Sequence, residues 1–473
     1  MRVAFHTLGC KVNHYETEAI REAFLARGAV SVGEDDPADV YIVNTCTVTN
    51  MADRKSRQYI RRVRNTNPDA LVVVTGCYAQ VEPEDVAAMP EVDMVIGNSR
   101  KAEICDLVME RLRSGRRESD TAEVRVLKRS EMTYYEDMGL VSSSESGMTR
   151  AYIKIQEGCD RFCAYCLIPY ARGPVRSRPP EEVLQEAAML RDAGFREMVL
   201  TGINTALYGT EEGFEYDIYD GDGRVLPGLE EIAAMTPEER AGIAPIEILL
   251  SRLDAMEGDF RIRLSSLEPT VVNKNNVERI IRYRRLCHHL HLSVQNGSDM
   301  ILRFMKRRYT RDEYLDIVKA IREYDPVFGI TTDIIVGFPG ETDEDFEETM
   351  DVARRCEFGK IHVFRYSPRR GTAGASLPDA VSGEIKIRRS FELEKAGYEI
   401  ADRFREKNIG SRHTVLIEER RGDYLTGYTG NYIRAYIFRE DRSQDSSLIG
   451  TFRDVQLTET FLDGCRAKET END

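Results

Sequence analysis

Three cysteines make the first chemical statement. Cys159, Cys163 and Cys166 stand in Glu157-Gly158-Cys159-Asp160-Arg161-Phe162-Cys163-Ala164-Tyr165-Cys166, a Cys-x3-Cys-x2-Cys spacing just past a strand-like run. Thiolates are soft ligands that select zinc or iron–sulfur clusters. A structural zinc site takes four protein ligands, and no fourth Cys or His lies nearby. A four-iron cube held by three thiolates keeps one iron open, and an open iron can bind a substrate. The rival reading is three buried cysteines that merely cluster. A loop at the carboxyl end of a barrel strand, where such folds keep their active sites, argues against it.

A second trio is independent of the first. Cys10, Cys46 and Cys77 are far apart in the chain, yet each lies just past one of the short apolar runs near the N-terminus. In an open parallel sheet the carboxyl ends of the strands share one edge, where ligands bind. Three thiols therefore converge, again with no evident fourth ligand. A single cysteine there is more often a packing residue; three at equivalent topological positions weaken that reading. Cys105, Cys287, Cys356 and Cys465 have no such partners and read as structural.

The elements that must position these thiols follow from periodicity. Arg2 to Thr7, Val40 to Asn44, Leu71 to Thr75 and Met94 to Ile96 are nearly all apolar, as strands buried on both faces should be. Helical patterns lie between them, around Glu16 to Ala26 and Arg54 to Arg64. Residues 1–112 thus read as an open parallel α/β domain carrying the second trio. Residues 113–147, with Ser142 to Gly147, read as a linker on composition. Residues 148–375 hold six strand-like segments: Tyr152 to Gln156, Glu197 to Leu200, Arg261 to Ser265, His289 to Val294, Gly329 to Val336 and Lys360 to Tyr366. Six βα units predict an incomplete (β/α) barrel, short of the eight that close one. A helical connector, residues 376–410, leads to residues 411–463, whose short β-rich runs predict a small antiparallel barrel. The fold class is α/β with this terminal β-barrel.

Composition bounds the rest. The chain has 473 residues, 41% hydrophobic and 31% charged, an ordinary globular mixture of about three domains. Ten cysteines are too few for a disulfide scaffold, and no apolar run is long enough to span a membrane or serve as a signal peptide. A cytoplasmic protein without a membrane partner is expected. The net charge of −15 comes mostly from residues 205–259, which hold 14 acids against 3 bases. Global charge therefore says little about partners.

Strand parity adds a ligand. His289, His291, Ser293 and Gln295 share one face of the fourth barrel strand, Thr331 and Asp333 one face of the fifth, and Lys154 and Gln156 one face of the first. A polar inner face costs stability unless its groups find partners. A polar ligand in the lumen answers that cost; a hydrated lumen, or a register shift of one residue, is the competing account.

The Cys-x3-Cys-x2-Cys spacing with Tyr165 before its last cysteine resembles the radical S-adenosylmethionine (SAM) superfamily. In that superfamily the open iron is chelated by SAM, whose reductive cleavage yields a 5′-deoxyadenosyl radical. The segments Leu8-Gly9-Cys10-Lys11-Val12-Asn13, Asn44-Thr45-Cys46-Thr47-Val48-Thr49 and Thr75-Gly76-Cys77-Tyr78-Ala79-Gln80 narrow the resemblance to the methylthiotransferases. So do Arg172-Gly173-Pro174, the run Asp333 to Thr342 and the run Tyr366 to Thr372. Gly427-Tyr428-Thr429 with Asn431-Tyr432 resembles their terminal RNA-binding TRAM domain. The residues after Cys10 and Cys46, with Ala52 to Arg57, look most like the threonylcarbamoyladenosine tRNA branch. That resemblance implies two 4Fe–4S clusters, one on Cys159, Cys163 and Cys166 that binds SAM and one on Cys10, Cys46 and Cys77 that holds the sulfur. It also implies methylthiolation at C2 of the modified adenosine at tRNA position 37; an external flavodoxin- or ferredoxin-like one-electron reductant and a monomeric enzyme are expected. Tyr165, Gly202, Asn204, Glu268, Gln295 and Asp333 are the SAM-pocket candidates.

Two departures are visible: the long acidic connection 205–259, and Gln295-Asn296-Gly297-Ser298 where a serine is more usual at position 296. For tRNA, Arg54, Lys55, Arg57, Arg61, Arg62 and Arg64 place six cations in 11 residues, suited to phosphate neutralisation or simply to a solvated helix face. Arg303, Lys306, Arg307 and Arg308 form a second basic group. Tyr428 and Tyr432 are candidates to stack on bases. The alternatives left open are an isopentenyladenosine tRNA or a ribosomal-protein aspartate as substrate, and a non-catalytic RNA-binding protein with structural clusters or zinc.

Overall fold

The computed structural model describes residues 1–47, 50–114, 121–142, 149–269, 272–443 and 445–470. Positions 115–120 and 143–147 of the expected linker, and Val48 and Thr49 of the second cysteine motif, lie outside them. The chain forms two compact units, and one of them gathers residues 1–142, 154–178 and 367–375.

That unit is built on a parallel sheet of β1 (Arg2–Thr7), β2 (Val30–Val32), β3 (Val40–Thr45), β4 (Leu71–Gly76), β5 (Met94–Ile96) and β6 (Glu123–Arg125), in the order β2-β1-β3-β4-β5-β6. β3 is buried along its whole length and β4 along nearly all of it. Both faces are covered: Tyr59, Ile60 and Val63 of helix Asn50–Thr66 pack on one, Ile20, Phe24, Ile104 and Val108 on the other. Register then sets the thiols. Thr7 pairs with Asn44 and Thr45 with Gly76, so the loops bearing Cys10, Cys46 and Cys77 leave neighbouring strands at the same edge.

The strands that follow are β7 (Arg150–Lys154), β8 (Gln156–Glu157), β9 (Arg176–Ser177), β10 (Glu197–Thr201), β11 (Arg261–Leu264), β12 (Ser266–Leu267), β13 (His289–Leu292), β14 (Gly329–Val336) and β15 (Lys360–Arg365). β8 and β9 pair as a short antiparallel ribbon, and the Cys159–Cys166 loop is its excursion. The barrel sheet runs β11-β10-β7 and β12-β13-β14-β15, its two parts meeting where β11 gives way to β12 at Ser265. It is the open, incomplete parallel barrel expected from six βα units. Helix Pro245–Asp254 buries Ile246, Leu249 and Leu250. It falls in the acidic stretch but occupies the crossover between β10 and β11, so the excursion itself is shorter than residues 205–259. That excursion packs Leu229, Ile232 and Ile243 against Ile248 of this helix.

After helix Gly383–Lys407, strands β16 (Arg412–Arg421), β17 (Tyr424–Thr429), β18 (Arg434–Phe438), β19 (Phe452–Phe461) and β20 (Gly464–Glu469) close a barrel in the order β16-β17-β18-β20-β19. Its neighbours are antiparallel except β18 and β20, which pair in parallel. Among the described residues no helix is long and apolar enough to cross a membrane.

Candidate active site

Both thiol trios fall in the first unit. Around Cys10, Cys46 and Cys77 two buried side chains, Asn13 and Asn98, hold the loops. Asn13 donates from Nδ2 to the carbonyls of Leu8 (2.7 Å) and Thr45 (3.1 Å), tying the Cys10 loop to the Cys46 loop. Its Oδ1 lies 4.0 Å from the Cys10 Sγ and accepts from Arg172 Nη2 (2.5 Å). Asn98 Nδ2 reaches the Cys77 Sγ (3.8 Å) and the carbonyl of Ala171 (2.7 Å), so the third loop is tied to the helix that follows Cys166. Gly9 has φ +123° and no room for a Cβ, which would meet the Cys46 side chain and Asn13. Cys46 and Cys77 are buried, while Cys10 keeps solvent contact.

In the other loop, Cys159 N donates to Gly173 O (3.0 Å), Cys166 N to Cys163 O (3.0 Å) and Ile168 N to Cys166 Sγ (3.4 Å). Gly158 turns the chain at φ +74°, and a Cβ there would stand 1.7 Å from the carbonyl of Pro174. Gly158→Ala is therefore expected to cost about 1–3 kcal/mol in backbone strain and to lower bound iron. Thermal unfolding and iron analysis of the reconstituted variant check both. Segment 367–375 ties the two loops further. Arg369 Nη2 donates to Thr47 Oγ1 (2.6 Å) and Asp53 Oδ2 (2.5 Å), and Gly374 N donates to Ala164 O (2.6 Å).

Do these residues fit iron–sulfur clusters? Among the described residues no three His, Cys, Asp or Glu side chains converge on one metal ion. A cube distributes its thiolates over different irons and asks for no such convergence on a single ion. Three buried polar atoms beside Cys10, Cys46 and Cys77, namely Asn44 Oδ1, Thr75 Oγ1 and Asn98 Oδ1, have no hydrogen-bond partner among the described residues. Such atoms are costly to leave in a dry core. Soft thiols beside a buried cation fit an anionic sulfur-rich group, and of the three spare atoms Thr75 Oγ1 carries a proton to donate to it, the two amide oxygens being acceptors only.

The second unit carries the polar inner face of the barrel. His291 bonds Thr331 Oγ1 (2.9 Å) through Nδ1 and Asp333 Oδ2 (3.1 Å) through Nε2, and Ser293 Oγ donates to the same carboxylate oxygen (3.1 Å). His289 Nε2 reaches Thr331 Oγ1 (3.0 Å). Burial pushes the Asp333 pKa up, but the hydrogen bond and charge of His291 outweigh it and leave the group below its ordinary value. Nearby, Asn204 Nδ2 donates to Glu268 Oε2 (2.7 Å), while Arg307 lies 3.4 Å from Glu268 Oε1. Gln295 is held at φ +65° by backbone bonds to Asp333 (2.9 Å) and Ile335 (2.8 Å). Gly202 is half-buried after β10, and Tyr165 is half-buried within the cysteine loop of the first unit.

Other residues sit differently from expectation. Lys154 and Gln156 share a strand face, yet Lys154 Nζ meets Glu157 (3.3 Å) and Glu16 (3.4 Å), and Gln156 Nε2 bonds the carbonyls of Glu157 and Gly158 (both 2.8 Å). Arg307, read as part of a basic cluster, is almost wholly buried against Glu268. On the basic helix, Arg64 is a strut to Asp93 and to the carbonyls of Pro68, Ala70 and Glu91. Arg57 bonds Tyr78 Oη (3.0 Å), and Arg61 and Arg62 pair with Glu91 and Asp35. Arg54 and Lys55 are exposed and, among the described residues, have no ion-pair partner. Tyr428 and Tyr432 stack on each other at 4.7 Å, and Tyr432 stacks on His289 at 4.6 Å. Arg434 covers the Tyr428 ring and Arg263 the Tyr432 ring. These faces line a cleft of about 770 Å³ beside helix Gly383–Lys407, and bases could stack on them only by displacing present neighbours.

Comparison with known proteins agrees with this architecture. Residues 153–353 match the radical SAM superfamily, and residues 2–97 match a family described as Uncharacterized protein family UPF0004. The chain is 38% identical over 442 residues to the threonylcarbamoyladenosine tRNA methylthiotransferase MtaB of Bacillus subtilis, covering 91% of this chain and 89% of that protein. It is 37% identical over 422 residues to the protein of the same name from Aquifex aeolicus, covering 89% and 94%. It is 32% identical over 463 residues to a tRNA-2-methylthio-N(6)-dimethylallyladenosine synthase of Ehrlichia canis, covering 96% and 97%. Among solved structures, the radical S-adenosylmethionine methyltransferase TsrM of Kitasatospora setae superposes with a TM-score of 0.54 at 14% identity, over 84% of this chain and 89% of that one. That likeness concerns the fold. With this identity sustained over nearly the whole length, and residues 153–353 matching the radical SAM superfamily, the chain belongs to the radical SAM methylthiotransferase family and is a transferase.

Proposed function

We propose that the enzyme methylthiolates C2 of N6-threonylcarbamoyladenosine at position 37 of tRNA, using a 4Fe–4S cluster with SAM on Cys159, Cys163 and Cys166 and a second cluster on Cys10, Cys46 and Cys77. The observation that carries this reading is the placement of both thiol trios in one compact unit, their loops tied through Asn13, Asn98, Arg172 and Arg369. When bound, the clusters and SAM supply the radical and the sulfur, which an unactivated aromatic C–H bond requires because it offers no proton to a base.

The chain's own part is to position and to exclude water. Asn13 fixes the spacing of the Cys10 and Cys46 loops, and Asn98, bonded to the Ala171 carbonyl and the Cys77 sulfur, fixes that of Cys77. On the inner face of the barrel, Asp333 stays ionised beside His291 and Ser293, suited to hold a cationic or hydroxyl-bearing part of a ligand. The Asn204–Glu268–Arg307 group offers both hydrogen-bond donors and a carboxylate. Arg54 and Lys55 are the exposed cations best placed to meet phosphates, whereas Arg57 and Arg64 are engaged within the fold.

Mass spectrometry of tRNA nucleosides from a deletion strain tests the substrate. Loss of the 2-methylthio derivative of threonylcarbamoyladenosine, with the isopentenyladenosine derivative intact, is expected. Loss of the latter alone, or of neither with an unmodified ribosomal-protein aspartate, would assign the substrate elsewhere. Anaerobically reconstituted protein is expected to bind about eight irons, four for each cube.

A further inference from the structure

Five charged side chains, Glu16, Lys101, Lys154, Glu157 and Arg172, are each at most 1% exposed, and Arg176 is 4% exposed beside them. Arg172 contacts both carboxylates: Nη1 meets Glu16 and also Glu157 (2.9 Å), and Nη2 reaches Glu16 Oε2 (3.0 Å). Lys101 contacts Glu16, and Lys154 bridges Glu16 and Glu157. The count does not balance, since four cations face two carboxylates. Glu136, buried nearby with its pKa pushed up by burial to about 7, removes at most one positive charge when ionised.

Buried ion pairs seldom repay their desolvation, and an unbalanced buried charge is costlier still. Stability therefore does not explain this cluster. Its surplus has an address: Arg172 Nη2 bonds the Asn13 oxygen that lies 4.0 Å from the Cys10 Sγ. Three thiolates bring more negative charge than an iron–sulfur core cancels. Arg172 is also the residue that grips Asn13, the clamp between the Cys10 and Cys46 loops.

We propose that Arg172 is a positioning residue for the trio Cys10, Cys46 and Cys77, its fixed guanidinium charge stabilising the reduced form of the cluster they hold. An arginine suits this task because it does not deprotonate and its planar fork orients two partners at once. Glu16, on the same fork, carries the opposite charge. The inference rests on the second-cluster reading above.

The test uses full-length protein with Cys159, Cys163 and Cys166 replaced by Ala, so that one cluster remains. Iron is measured first, then the reduction equilibrium by dithionite titration followed by electron paramagnetic resonance. Absence of iron with Arg172 intact overturns the second-cluster reading itself. With iron present, Arg172→Gln is expected to shift the equilibrium at least about tenfold toward the oxidised form, roughly 59 mV for one electron. Glu16→Gln is expected to shift it toward the reduced form, and Arg172→Lys to recover most of the lost shift. Opposite signs from two substitutions at one node cannot come from general loosening of the fold. Lys101→Met, which removes a neighbouring cation, is read like Arg172→Gln if that variant yields no folded protein. An equilibrium within twofold of the parent, or shifts of the same sign for Arg172→Gln and Glu16→Gln, overturns the proposal.

Discussion

Cys159→Ser abolishes release of 5′-deoxyadenosine from SAM, whereas Cys46→Ser leaves that release intact and stops methylthiolation. Each affected step is expected to fall by more than about a thousandfold, roughly 4 kcal/mol of barrier. Each variant also loses about four of the irons, since a cube held by two thiolates sheds its metal. The two cysteines sit in different loops of one unit, Cys159 after the β8 ribbon strand and Cys46 after β3. Their effects are therefore separable in a single assay containing reduced protein, SAM and tRNA. If Cys46→Ser protein still methylthiolated tRNA, the division of labour between the trios would be wrong. If it stopped SAM cleavage as well, the loops would act as one site.

The largest expected effect on stability lies in the second unit, at Glu197. This carboxylate is fully buried in β10 and accepts from Arg263 Nε (2.7 Å) and Arg261 Nε (2.7 Å). Both arginines extend to the terminal barrel, Arg261 to the carbonyls of Thr414 (2.9 Å) and Tyr428 (2.7 Å), Arg263 to those of Gly430 and Thr429 (both 3.2 Å). Glu197→Gln leaves these cations without their counter-charge, which costs about 3–5 kcal/mol. The effect should depend on pH. Burial pushes the Glu197 pKa up, but Arg263 and Arg261 outweigh it and hold it well below the ordinary carboxylate range. A group depressed in the folded state stabilises above its unfolded pKa, about 4.3 for Glu, and loses that contribution as pH falls toward the folded value. Thermal unfolding from pH 7 to pH 3 should show the gap between parent and variant widest near neutrality and narrowing below about pH 4. A gap that stays constant across that range would remove the carboxylate's charge from the explanation.

How far the sequence could be read depends on what each signal encodes. The four central strands of the first sheet were legible because strands buried on both faces are continuous apolar runs. Its edge strands β2 and β6 escaped notice: Val30 is 58% exposed and β6 is largely exposed, so neither stands out from a loop. Capping boxes, Thr310 with Glu313 and Thr342 with Asp345, close the starts of two barrel helices. Parity placed His289, His291, Ser293, Thr331 and Asp333 on one face, and in the structure they bond to one another. For Lys154 the same rule named the face but not the partner, which is an ionic cluster. Charge runs were the poorest guide, because Arg64 and Arg307 look like solvent-facing cations until the carbonyls and carboxylate they clamp are known.

By itself the sequence determined which atoms can do the chemistry, and in what order along the chain they appear. Thiol spacing, apolar periodicity and strand parity are local properties, readable within a dozen residues. Only the tertiary structure decided that residues as distant as Asn13, Arg172 and Arg369 hold the two cysteine trios in one unit. Only it showed a buried surplus of positive charge beside one of them. Contacts between segments so far apart in sequence leave no periodic trace, and the electrostatic value of a side chain is set by what folding packs around it.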